Sequence, residues 1–353
     1  MRIKYTDSHS IYTAVSYDME ENLFRLKGQQ PEALEYSPVL RLDHEHDPQN
    51  FFYILLSNDN PSCTENSIYQ VYVDHKRIGW IFPIQSLLSD EHDYSENAFF
   101  LKYAYVALHL LLEDIDSRET PSRFLLSDYY DARKNILVVD KENIADFESF
   151  SIDDYVVSLY SYGYAYAGGG NAFGELPDPV SQTRLNLKAV SKQLTMIPTI
   201  NYLFKEQLPA AEDERIRFYL CYQVIELLIS VVFEDQFQLL LEKLKADPEA
   251  IFDQRDKLSD IVREKHRIRL LFNDYVSCTT DHHSDLDTAC KKLLELNGRE
   301  TSISYFENLY SVRCLLVHKL YSLKPDSYQI LQDVNRSFLD VVMDILFSFK
   351  KPV

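Results

Sequence analysis

The sequence predicts an α+β protein in two parts, a mixed α/β domain over residues 1–180 and an all-α helical bundle over residues 186–350. Three observations carry that expectation. The first half holds short runs of β-branched and aromatic residues bounded by turn formers, the pattern of strands. From Asn186 onward, apolar residues recur every three or four positions, the period of helices that bury one stripe. Between the halves lies Pro177-Asp178-Pro179, across which no helix continues, because each ring removes a backbone donor and restricts the residue before it.

Taken in order, strands are expected at Phe52 to Leu56, Tyr69 to Val73, Ile78 to Phe82 and Ile136 to Val139. Ala98 to Ile115, rich in Leu and Ala and ending in acids, predicts a helix. Tyr160, Tyr162, Tyr164 and Tyr166 alternate with period two, which on a strand places four rings on one face. Such a strip can stack nucleic-acid bases or pack a sheet against a helix, and the acidic surroundings favour packing. Gly168-Gly169-Gly170-Asn171 follows without the Lys-Ser/Thr of a phosphate-binding loop, so it reads as a hinge or lid.

In the second half, helices are expected over Leu187–Leu208, Glu212–Ala246, Asp253–Val276, Asp285–Leu296, Ser302–Leu323 and Ser327–Lys350. Pro209, Pro248, Cys278-Thr279-Thr280-Asp281, Asn297-Gly298 and Lys324-Pro325 punctuate them. Asp281-His282-His283-Ser284-Asp285 reads as a loop running into an Asp N-cap. Ser304 and Glu307 have capping-box spacing at the start of the fifth helix. Six helices of this kind make a bundle.

Composition narrows the class. With 353 residues, 46% of them apolar, the chain can fill a core in each of two domains. Five scattered cysteines with no CxxC pair argue against a zinc ribbon or disulfide framework and fit free thiols in a reducing cytosol. The first residues turn polar at once, without the apolar region of a signal peptide. The longest apolar run, Val224 to Leu241, contains Glu226, Glu234 and Asp235, which argues against a membrane span. A cytoplasmic protein is expected. The formal charge of −19 is uneven: residues 1–185 carry 14 Lys+Arg against 30 Asp+Glu, residues 186–353 carry 22 against 25. A polyanion is repelled by the first half and tolerated by the second, so any nucleic-acid chemistry belongs to the helices.

The chemistry-bearing segment is Tyr310-Ser311-Val312-Arg313-Cys314-Leu315-Leu316-Val317-His318, apolar apart from one cation that keeps its proton and one group that exchanges it near neutral pH. Polar groups in such a setting need a partner or a purpose. The spacing alone is weak, since 17 arginines and 10 histidines give roughly 0.5 such pairs by accident. A second pair, Arg41 and His46, lies in a polar, proline-flanked stretch and reads as a solvated loop.

By helix number, motif position and motif context, residues 186–350 resemble the HEPN superfamily, whose helical bundles carry an Arg-x4–6-His motif late in the domain. Arg313 and His318 match the two catalytic positions. Cys314 stands where active members often have a polar residue, and Glu226 is the candidate for an acid that in the family faces the motif from an earlier helix. The resemblance implies a metal-independent endoribonuclease that needs no cofactor, takes RNA as substrate and assembles its cleft between two protomers through the helical domain. It also implies a toxin or anti-phage defence role, with the acidic first half a sensor or regulatory domain for a protein or small ligand. The chemistry is consistent: RNA supplies its own 2′-hydroxyl nucleophile, His318 serves as general base or acid, and Arg313 neutralises charge growing on the phosphorane. The products are then a 2′,3′-cyclic phosphate and a 5′-hydroxyl. Lys319 adds phosphate attraction or is simply solvated.

The bland reading stays open: Arg313 pairs with an acid such as Glu226 to fix helix register, and His318 closes a hydrogen bond, in an inactive scaffold that dimerises and binds a partner. His44 and His46, flanked by acids but without a distant third ligand, read as surface polarity, and no metal is expected. No GxSxG, HExxH, Walker or Rossmann pattern appears.

Overall fold

The computed structural model of the chain describes residues 12–18, 23–28, 34–36, 47–58, 63–88, 91–95, 97–116, 129–131, 133–166, 176–177, 184–247, 251–318 and 323–352. The fold is α+β. It divides into two units, Met1–Ile152 with Leu159–Lys188, and Asp153–Ser158 with Ala189–Val353.

In the first unit β1 (Tyr12–Asp18), β2 (Leu23–Gly28) and β3 (Leu34–Tyr36) form an antiparallel meander. A larger sheet is built from β4 (Phe51–Ser57), β5 (Tyr69–Val73), β6 (Lys76–Pro83), β7 (Lys134–Asp140), β8 (Ala165–Tyr166) and β9 (Arg184–Leu187). Its order is β8–β4–β7–β6–β5–β9, antiparallel throughout except for β5 with β9. Helix α1 (Ala98–Asp116) lays an aromatic face on it, with Phe100 5.6 Å from Trp80 and 5.0 Å from Phe82, ring centre to ring centre. These edge-on contacts add to what burial alone contributes. Gly79 is required where β6 meets β7, because a Cβ there would lie 2.0 Å from the Val138 carbonyl oxygen. Asp74 and His75, at φ 47° and 66°, close the β5–β6 hairpin as a two-residue turn whose twist matches the strands.

The tyrosine alternation is not a strand. Tyr160 belongs to helix α2 (Val156–Ser161), and only Ala165–Tyr166 joins the sheet. The helix stops at Gly163, φ +81°, whose N–H donates to the Tyr160 carbonyl (2.9 Å) while the Tyr164 N–H donates to Leu159 (3.1 Å). That left-handed cap is available to glycine at little cost and reverses the chain within the run. Tyr160 and Tyr164 are buried, and the Tyr162 hydroxyl donates to the Asn186 carbonyl at 3.2 Å. The four rings therefore do not share a face. Gly168–Asn171 and the Arg41–His46 segment lie outside the described residues.

The second unit is helical, with boundaries that differ from the expected ones for identifiable reasons. Leu187 ends β9, and the first helix, α3 (Pro198–Tyr202), starts with a proline in its first turn, where the missing N–H costs nothing. It continues through a π turn, Leu203–Gln207, into Leu208–Ala210. Helix α4 (Glu214–Ala246) is capped by Asp213, whose carboxylate accepts from the Arg215 N–H at 2.8 Å. Its apolar side is buried from Phe218 to Val232. By length and composition α4 could cross a membrane; half of its most apolar window is buried.

The next expected helix is two, α5 (Ile251–Ile261) and α6 (Glu264–Leu270), separated by Arg263 in extended conformation; α6 runs on as a π turn, Leu271–Tyr275. Helix α7 (Thr280–Leu296) starts five residues before Asp285, so His282 and His283 are helical. Asp344, on the last helix α9 (Ser327–Ser348), accepts from the Thr279 N–H (2.9 Å) and hydroxyl (3.1 Å) and meets His282 Nδ1 at 2.7 Å. This cap comes from a distant segment and leaves no local signature. Helix α8 (Tyr305–His318) begins just after Ser304, whose carbonyl accepts from the Glu307 and Asn308 N–H groups (3.1 Å each), while the Glu307 carboxylate accepts from the Ser302 hydroxyl at 2.7 Å and that hydroxyl accepts from the Ser304 N–H.

The core of this unit is a stripe on α9, from Ile330 and Val334 through Phe338, Val341 and Val342 to Ile345, facing α4 and α7. Asn308 is fully buried and fully engaged, accepting from the Ser302 N–H and donating to Asp287 and to the Ser302 carbonyl. It ties α8 to α7 without an unmet polar group. All five cysteines are free thiols.

Candidate functional site

The site grows from the packing of α8. Leu309, Val312, Leu315 and Leu316 are buried, which fixes the rotation of the helix and turns Arg313 to its flank. There the guanidinium meets α4. Nη2 of Arg313 donates to Glu226 Oε1 at 3.2 Å, and its Cζ lies 5.7 Å from the centre of the Tyr222 ring. Tyr222 and Glu226 are one helical turn apart, so ring and carboxylate present to the same side chain. Tyr222 is itself held against Phe218 (6.0 Å) and Phe338 (6.4 Å).

A second contact sits one turn farther along α8. The Tyr219 hydroxyl donates to the Leu316 carbonyl at 2.8 Å. That carbonyl is among the last four of the helix, which have no partner within it, so α4 satisfies an end that would otherwise be bare. His318 is the last residue of α8 and is exposed.

The electrostatics follow from these neighbours. Partial burial works against the Arg313 charge, but the Glu226 hydrogen bond and the nearby Glu264 outweigh it and raise the pKa above its ordinary value. Arg313 is therefore a permanent cation. Its side chain is 22% exposed, and that of Glu226 46%. Burial pushes the Tyr222 hydroxyl far above its usual pKa, so it stays neutral. Tyr310, one turn before Arg313, is raised mainly by burial and by its neighbours Cys314 and Glu264.

Of the residues read from the sequence, Glu226 and Arg313 come together directly. His318 shares the helix with Arg313 but is roughly 140° around its axis and about 7.5 Å along it. Lys319, His44 and His46 lie outside the described residues. Among those described, no group of three or more His, Cys, Asp or Glu side chains is placed to hold a metal ion.

Sequence reasoning missed Tyr219, Tyr222 and Glu264. Tyr222 had a usable signal, since it stands four residues before Glu226. Tyr219 and Glu264 had none, because their roles depend on how α4 and α6 lie against α8. Comparisons with protein-family models, with curated proteins and with solved structures find no match to this chain.

Proposed function

We propose that the chain is a metal-independent endoribonuclease of HEPN type, producing 2′,3′-cyclic phosphate and 5′-hydroxyl ends. The carrying observation is that Arg313 is held without being sealed. Glu226 takes one of the five N–H donors of the guanidinium at 3.2 Å, and the side chain keeps 22% of its surface in solvent. A phosphate can take the remaining donors in the paired geometry that guanidinium favours. His318, exposed at the end of the same helix, acts as general base on the 2′-hydroxyl or general acid on the leaving oxygen. Glu226 orients the guanidinium. Because the two side chains diverge around the helix, the reading calls for a second protomer whose own α8 completes the cleft.

The resemblance that suggests this activity also suggests a toxin or anti-phage effector in the cytoplasm, restrained by the acidic first unit until a protein or small ligand relieves it. The test is direct. Purified protein is incubated with labelled RNA in EDTA and the products are probed for 5′-hydroxyl ends. Wild type should cleave, and Arg313→Ala and His318→Ala should not. Intact RNA with wild type removes the nuclease reading. In cells, equal toxicity and equal RNA integrity for the three proteins would remove the effector role.

A second reading is favoured by the same ion pair: Arg313 and Glu226 fix helix register in a catalytically silent scaffold that dimerises and binds a partner. Such a protein leaves RNA whole in EDTA yet still self-associates through its helical unit.

A further inference from the structure

The densest cluster of positive charge in this acidic chain is at Arg263-Glu264-Lys265-His266-Arg267-Ile268-Arg269, four Lys/Arg and one His against one acid. The structure sorts these residues. Arg263 pairs with Asp260 at 3.5 Å, and Arg267 turns inward over the Phe233 ring at 5.7 Å. Lys265 and Arg269, four apart on α6, share an outward face. Lys265 keeps 57% of its side chain exposed, with a loose 3.9 Å approach to Glu307. Arg269 is exposed, has no carboxylate partner among the described residues, and donates to His266 Nδ1 at 2.9 Å, which orients its guanidinium.

This face lies beside the candidate site. Helix α6 runs antiparallel to α8: its start reaches Glu307 and Tyr310 through Lys265, and the π turn after it reaches Tyr305 and Phe306 through Phe272. Lys265 Nζ stands 5.9 Å from the centre of the half-buried Tyr310 ring, and Arg313 is one turn beyond Tyr310. Cations and an aromatic ring thus form a line, Arg269, Lys265, Tyr310 and Arg313, flanked by two acids, Glu307 at 3.9 Å from Lys265 and Glu264 near Tyr310 and Arg313.

We propose that Lys265, Arg269 and Tyr310 form a track for single-stranded RNA leading to Arg313, the two cations holding backbone phosphates and the ring stacking an unpaired base. The assignment of RNA rests on the nuclease reading; the track itself rests on the juxtaposition of α6 and α8. An acidic peptide would use the cations but not the ring. A duplex would offer the ring no free base face, because stacking requires unpaired bases.

The experiment measures binding of a fluorescent, fully 2′-O-methylated single-stranded RNA, which lacks the nucleophile and survives intact, to the full-length protein over a range of salt. Lys265→Ala/Arg269→Ala should lower the slope of log affinity against log salt by about 1.4, at about 0.7 per lost phosphate contact, and weaken binding about tenfold. Tyr310→Leu should weaken binding about tenfold with the slope unchanged. An unchanged slope in the double variant, no binding by wild type, or equal competition by polyglutamate would each overturn the track. Cleavage of unmodified RNA is read separately. Wild type that binds through the track but cleaves nothing keeps the track and removes the nuclease. A double variant that binds and cleaves like wild type keeps the nuclease and removes the track. Both substitutions lie on a solvated face, and matching thermal melts verify that the fold is intact.

Discussion

Whether Arg313 serves chemistry or only helix register can be decided by the strength of its bond to Glu226. At 3.2 Å, the bare attraction of two unit charges is about 1.3 kcal/mol in a water-like medium and about 5 kcal/mol near a protein surface. The carboxylate is 46% exposed, so solvent screening places the pair toward the lower figure. Holding two long side chains in one geometry removes part of the rest. A net coupling of about 0.5–1 kcal/mol is expected. Arg313→Ala should cost a further 0.5–1 kcal/mol or about that through the lost Tyr222 contact, whereas Glu226→Ala leaves a partly solvated guanidinium and costs about 0.5 kcal/mol. A double-mutant cycle isolates the shared part. The protein supplies its own separate reporters: the single tryptophan, Trp80, lies in the first unit, and helix ellipticity is dominated by the second. Urea titrations followed by ellipticity give the cycle, repeated at high salt, where a screened pair should weaken. A coupling above about 2 kcal/mol that salt leaves unchanged would refute this argument, because it would mark a desolvated latch committed to structure.

Two further outcomes follow from local geometry. Gly79→Ala drives a methyl to 2.0 Å from the Val138 carbonyl oxygen, and the central strands must part; a loss of at least about 3 kcal/mol in the Trp80 transition is expected, and a loss under 1 kcal/mol or so would contradict the close approach. Asp213 is held down to about 2 by the Arg215 side chain and by backbone N–H groups of α4. A lowered carboxylate pKa stabilises above its unfolded value, near 3.8, and that stability disappears as pH falls through about 2. Asp213→Asn keeps a capping oxygen, so wild type should exceed it in melting temperature by a constant margin above about pH 4 that vanishes near pH 2; a pH-independent difference would show that charge has no part.

The legible parts of the fold were those specified by neighbours in sequence. Four strands of the larger sheet were readable as short β-branched and aromatic runs between turn formers, and α1, α4 and α9 as long apolar-rich segments with clear ends. The misreadings share a physical cause. Tyr160 to Tyr166 had the period of a strand, but one glycine able to take φ +81° capped a helix inside the run. The start of α7 was hidden because its cap, Asp344, is more than sixty residues away, whereas α8 starts right after Ser304, where the spacing to Glu307 marked it. Arg313 and His318 stood out by residue type and setting and Glu226 through the resemblance to the HEPN superfamily, and of these the structure pairs Arg313 with Glu226. The grip of Tyr219 and the stacking of Tyr222 could not be read, since they follow from the antiparallel register of α4 against α8.

That register has a consequence for whatever the site accepts. Tyr219 on the Leu316 carbonyl and Glu226 on Arg313 are set at two heights, like pegs in a ruler, so α8 cannot slide along α4 without releasing both. Sliding would carry Arg313 and His318 together, since both belong to α8, so the two contacts set where that pair stands against α4 and leave the exposed imidazole free to turn.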